Sequence, residues 1–327
     1  MAADPWGDLG ERPSFLACVG SRERSWRRLA GVLAAGGALA LIALGAVMLL
    51  VLGLAALITW AASGGEVSVV DAVGRLSDTG RTGRTLQGYS YELASVGMSS
   101  IAAALAFVLV AARLYQRPLR TFLTSAAHFR WRLVLLGLAI SLPIVGGSVV
   151  LDYLGADAPQ AAPIFSPGAA WWAGAVYVAA ACGFLCLAAL AEEILFRGWL
   201  LQQTYAFVRN VALLLTINGL LFSAVHFDPS PGPFLIRAAM GAAWSWVVLR
   251  TGGLEFALGA HLANNLMVSL FIKPVTFAPV VRQPIDYREL AVQVASLALM
   301  VVIVEALIRS RSLPDLSARR QSSQETS

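Results

Sequence analysis

The sequence predicts an all-α, polytopic helical membrane protein with about eight transmembrane helices. Two observations carry that expectation. Hydrophobic residues make up 58% of the chain and charged residues only 13%, with a mean hydropathy of +0.71. A soluble domain of 327 residues has no use for so much apolar surface. The apolar residues also fall into long runs, parted by short segments rich in Arg, Gly and Pro.

Residues 1–28 are polar and carry Arg12, Arg22, Arg24, Arg27 and Arg28, a basic segment that places the N-terminus in the cytoplasm. The run from Leu29 to Ala62 is too long for a signal-peptide core and reads as a first, tilted span. A polar external stretch, 63–92, includes a short amphipathic helix and Arg75, Arg81 and Arg84. A second span covers Glu92 to Leu114, and the loop after it holds Arg113, Arg117, Arg120, Arg130 and Arg132, a cytoplasmic signal. His128 in that loop is expected to be solvated. A third span runs from Leu133 to Leu154, followed by an external loop with Asp157, Pro159, Pro163 and Pro167. These N-terminal membrane helices, residues 29–168, precede a core at 169–272.

The core opens with an apolar helical segment from Ala169 to Phe207, longer than a bilayer requires. A turn at Arg209-Asn210 leads to a span from Val211 to Phe227, and Asp228 to Pro233 breaks it. Spans at Phe234–Leu249 and Leu254–Ile272 are joined by an Arg-Thr-Gly-Gly turn. Residues 273–309 supply a proline-containing loop and a last span, Leu290 to Ile308, and residues 310–327 form a polar tail. Both termini are therefore expected inside the cell. Lys273 is the only lysine among 24 basic residues, a usage of high-G+C genomes. The expected location is a bacterial plasma membrane. The net charge of +5 sits in the termini and one loop. No basic stripe of the kind that binds nucleic acid is present. Cys18, Cys182 and Cys186 are too few for a disulfide framework, and core packing is expected of Cys182 and Cys186.

Chemistry concentrates in the core. Glu192, Glu193 and Arg197 lie in an apolar stretch, where ionised groups are costly and usually functional. Glu193 and Arg197 are four apart with the acid first, the favoured order for an ion pair within a helix. Glu192 points about 100° away from Glu193 and must find its partners elsewhere. Two of the three histidines, His226 and His261, lie in the same half, with Phe222 one turn before the first and Asn265 one turn after the second. This spacing stacks Phe222 on His226 and pairs His261 with Asn265 on one face. Counting from the Arg209 turn, Glu192 is seventeen residues back and His226 sixteen on, so a helical hairpin brings them to one level. His261 lies only eight residues beyond Gly253 and reaches that level if the turn before it sits deep or its helix tilts. Taken singly, these residues also admit plainer roles: an ion pair for Glu193–Arg197, interhelical hydrogen bonds for Asn264 and Asn265, a turn for Asp228, and a snorkelling side chain for Arg237.

The motifs EEILFR (Glu192, Glu193, Arg197), FSAVH (Phe222, His226) and HLANN (His261, Asn265) resemble the CAAX protease and bacteriocin-processing family of intramembrane endopeptidases. Their EExxxR, FxxxH and HxxxN signatures stand here in order and on separate spans; Glu255 and the long N-terminal region are less typical. The resemblance implies that Glu192, helped by His226, activates water, that His261 and Asn265 stabilise the oxyanion, and that Glu193, Arg197 and Phe222 support them. The family name suggests zinc, for which Glu192, His226 and His261 are the available ligands, yet a ligated carboxylate loses basicity, and no cofactor is expected to be required. Expected partners are membrane lipid and a peptide or membrane-anchored protein substrate, with no nucleic acid. A non-proteolytic scaffold or regulator on the same fold and a proton-coupled transporter using Glu192 and His226 are the competing readings. Charge counting puts Glu192 and His226 in the outer half of the bilayer, whereas the resemblance suggests a cavity open to the cytoplasm.

Overall fold

A computed structural model describes residues 13–78, 85–155, 162–165, 170–277 and 280–310. The expected features at Arg12, Arg81, Arg84, Asp157, Pro159, Pro167 and in the tail beyond 310 lie outside the described residues. Nine helices of seven residues or more organise the described chain: α1 Trp26–Ala62, α2 Val69–Ser77, α3 Leu86–Tyr115, α4 Trp131–Leu154, α5 Trp171–Phe207, α6 Val211–Ala224, α7 Pro231–Thr251, α8 Glu255–Ile272 and α9 Tyr287–Arg309. The chain is an all-α integral membrane protein. Seven of the helices are long and apolar enough to cross a membrane, not eight. The exception is α6, whose 14 residues span about 21 Å, short of a bilayer's hydrocarbon core. The expected amphipathic helix before α3 is α2, capped by Ser68, whose hydroxyl accepts from the Asp71 amide at 3.1 Å.

One end of the bundle is built from segments that hydropathy alone treats as loops. Phe15, Leu16 and Val19 are buried, so the described part of the N-terminal basic segment is packed rather than free. Glu23, also buried, pairs with Arg117 at 3.1 Å, and its carbonyl accepts from Gln203 on α5 at 2.8 Å. Trp26 stacks on Phe207 at 4.5 Å. The α3–α4 loop then folds inward over the α7–α8 turn. The amide of Leu254 donates to the Leu123 carbonyl and that of Ser125 to the Gly252 carbonyl, each at 2.9 Å. His128 remains exposed on this loop, as expected.

Arg130 locks the arrangement. Its Nε and one terminal nitrogen reach the two oxygens of the buried Glu255 at 2.9 and 2.8 Å, and the other donates to the Thr251 carbonyl at 2.9 Å. The Arg-Thr-Gly-Gly turn is thus buried beneath the loop. Glu255, to which spacing assigned no role, closes it. We expect Glu255→Ala to cost about 3–5 kcal/mol, because it strands a nearly buried guanidinium. Thermal unfolding in detergent should show a loss far larger than for Glu289→Ala at the exposed end of α9.

Helix α8 lies against α4 at backbone contact. A Cβ on Gly137 would come within 2.2 Å of the Phe256 carbonyl oxygen, and one on Gly259 within 2.0 Å of that of Val134. Only glycine permits this approach, which holds the segment carrying His261 rigidly in place. Elsewhere α3 packs on α5, α6 on α7, and α9 on α7 and α4. Cys182 corrects the expectation of core packing: it is exposed on α5, and Cys186 is partly buried. An apolar thiol suits a lipid-facing position as well as a core one, so spacing did not distinguish them.

Candidate active site

The carboxylates sit where α5 changes its winding. It is α-helical from Trp171 to Glu192 and π-helical from Glu193 to Leu200. Such wide turns inside helices often occur at functional sites. Here the change falls between the two glutamates, so the uniform α-helical angles assumed from spacing do not hold. Glu193 and Arg197 nevertheless meet, at 3.0 Å, both fully buried. The Arg197 guanidinium also lies 4.2 Å from the Phe222 ring centre and 5.2 Å from that of Trp244, which supplies cation–π stabilisation in place of water.

Glu193 is not spent on Arg197 alone. Its Oε1 is 2.8 Å from Nδ1 of His261, which comes from α8. This contact was not legible from spacing, which read Glu193 as neutralised within its own helix. His261 is further held by the Trp244 ring, stacked at 4.4 Å and 29°. Trp244 was missed as well; an aromatic in an apolar helix carries no signal that it faces a histidine.

His226 lies two residues past the end of α6, where the last carbonyls have no intrahelical donor. Its Nδ1 donates to the Phe222 carbonyl at 2.8 Å. Phe222 meets the His226 ring at its edge, 5.1 Å away and inclined by 71°, rather than stacking on it. Phe227, with φ of 50°, turns the chain immediately afterwards.

These contacts orient both imidazoles alike. A carbonyl and a carboxylate can only accept, so each Nδ1 carries a proton and each neutral ring presents a bare Nε2. Both Nε2 atoms face Glu192 Oε2, His261 at 3.6 Å and His226 at 3.9 Å. That oxygen is buried and has no hydrogen-bond partner among the described residues. The equal-depth argument from the Arg209 hairpin is therefore met. Three acceptors converge on one point, and a donor belongs between them: a water molecule or a proton. Two imidazoles and a carboxylate are also the donor types of zinc. Among the described residues, however, no three such side chains are gathered closely enough to ligate a metal ion.

The two histidines and Asn265 line a cavity of about 300 Å³. Asn265 accepts from the Asn264 amide at 3.3 Å, which leaves its own amide nitrogen for the cavity, and no hydrogen bond joins it to His261. Arg237 lines the same cavity and does not snorkel away; it pairs with Asp228 at 2.8 Å. Asp228 makes the expected turn too, accepting from the Ser230 amide at 2.9 Å. At the far side stand Asp152, Lys273 and Glu289, at the helix ends opposite the buried α7–α8 turn.

Residues 171–267 match the family model described as Rce1-like, type II CAAX prenyl endopeptidase. The match spans all three motifs. That match agrees with the resemblance of these motifs to the CAAX protease and bacteriocin-processing family. The Rce1-like segment thus comprises α5 through most of α8, the elements that carry Glu192, His226 and His261. The chain is also similar to the uncharacterised protein YyaK of Bacillus subtilis strain 168, with 29% identity over 163 residues, covering 48% of this chain. It spans about half (53%) of that relative's length. No solved structure matches.

Proposed function

We propose that the protein is an intramembrane endopeptidase that hydrolyses a peptide bond of a membrane-associated peptide or protein. The observation that supports this reading best is the convergence of Glu192 Oε2 with the two Nε2 atoms. A water at that point is oriented by His226 and gives a proton to Glu192 as its oxygen attacks the substrate carbonyl carbon. The developing oxyanion accepts from the Asn265 amide and from His261, whose Nε2 takes a proton from solvent before the substrate binds and keeps it through the cycle. The Glu193 carboxylate at Nδ1 stabilises that imidazolium. Glu192 then returns its proton to the leaving amine. Comparing the membrane and secreted peptides of cells carrying wild-type or Glu192→Ala protein tests this. Precursors should accumulate and products vanish in the variant; identical peptide sets would instead favour a scaffold.

We further propose that no metal is obligatory, because a carboxylate holding an ion is a poor base for water. Protein dialysed against a strong chelator should retain most of its activity and contain no stoichiometric zinc. One tightly bound zinc whose removal silences the protein would overturn this.

One orientation is supported by the shared end of the bundle. The N-terminal segment, the α3–α4 loop, the α7–α8 turn and the close of α9, where Glu305 pairs with Arg250 at 2.6 Å, lie together and carry most of the described arginines. We propose that this end is cytoplasmic, with both termini there, and that the cavity opens towards the external face. In a background without native cysteines, Arg282→Cys should react with an impermeant thiol reagent in intact cells and Asn210→Cys should not. The reverse pattern would invert the topology.

A further inference from the structure

Hydrolysis consumes one water per turnover, so the peptidase reading calls for a supply of water to the candidate site. Beside the cavity of the candidate site, between α4, α7, α8 and α9, lies a chamber of about 20 Å³. Ser141, Asn264, Gln293 and Ser296 bring polar side chains to its wall, and Asn264 and Gln293 line the larger cavity as well. Ser141 is only 3% exposed, and its hydroxyl has no hydrogen-bond partner among the described residues. Neighbouring helical hydroxyls behave differently. Ser148 donates to the Val145 carbonyl, Ser245 to that of Gly241 and Thr251 to that of Val247. A buried hydroxyl without a partner is unfavourable, so one at a chamber that three further polar side chains reach points to a ligand. The size decides which. Roughly 10–15 Å³ holds one water, given two to four polar partners, and nothing much larger fits.

We propose that this chamber is a hydration site. One water is held by Ser141, Asn264, Gln293 and Ser296, and Asn264 and Gln293 pass it to the catalytic cavity when the attacking water has been consumed. The handing-on rests on the peptidase reading; the occupancy does not.

Pulsed X-ray radiolysis of the full chain in detergent tests the occupancy, because radicals formed from a bound water oxidise the side chains beside it. Met300 is 3% exposed and lines the small chamber but not the larger cavity; Tyr287, 74% exposed, reports the dose. Met300 should be oxidised in the wild type, and several-fold more slowly in Ser141→Ala combined with Gln293→Leu, with Tyr287 unchanged. An unmodified Met300 in the wild type, or an equal rate in the variant, overturns the hydration site. For the handing-on, Ser141→Ala alone should slow the appearance of Glu192-dependent products in cells several-fold at equal protein abundance. An unchanged rate overturns that role. If Met300 is oxidised as expected while wild-type and Glu192→Ala cells yield the same peptides, the hydration site stands and the peptidase reading falls.

Discussion

Glu193→Ala is expected to deplete the protein from the membrane, not merely to slow it. One carboxylate oxygen serves both Arg197, at 3.0 Å, and His261, at 2.8 Å, and the glutamate and arginine are fully buried. Removing the acid leaves a buried guanidinium with two aromatic faces and no hydrogen-bonded carboxylate among the described residues, a loss of about 3–5 kcal/mol and so a large part of a typical domain's stability. Replacing both members of the pair, as Glu193→Leu with Arg197→Met, should restore much of the abundance, since well-packed apolar residues often substitute for a buried ion pair. It should not restore product formation, because His261 loses the acceptor that fixes its tautomer and supports its positive charge. Measuring membrane abundance and product together separates these effects. A double variant that is both abundant and active would show that Glu193 serves the fold alone.

Glu192→Ala and His226→Ala should have the opposite signature. Glu192 is 29% exposed, and its inward oxygen makes no hydrogen bond. His226 has one, to a carbonyl at a helix end. Neither holds helices together, so abundance and melting temperature should shift little. Turnover should fall by about 10²–10⁴-fold, the usual contribution of a positioned acid or base. Glu192→Asp retains the charge on a shorter arm and should recover little, because its oxygen no longer reaches both Nε2 atoms. A collapse of abundance in Glu192→Ala, or an unchanged product level, would remove Glu192 from the chemistry.

The membrane character, the order of the helices and the three motif-bearing segments were legible in the sequence. Apolar runs of bilayer length have few other uses, and helical spacing brings residues four apart onto one face. The Glu192–His226 encounter was legible for a related reason: a short turn between two helical arms converts residue count into depth. Spacing along one helix says nothing about contacts made across helices. Whether Glu193 is shared with His261, whether Trp244 stacks on that ring and whether Arg237 turns to Asp228 depend on how α5, α7 and α8 are rotated against one another. That rotation is set by glycine contacts at 137 and 259 and by the π-helical turns after Glu192. The burial of the turn before α8 is likewise a tertiary decision. Arg130 and Glu255 are 125 residues apart in the chain, and only folding the α3–α4 loop inward joins them. Once joined, they hold the turn that leads into the helix carrying His261.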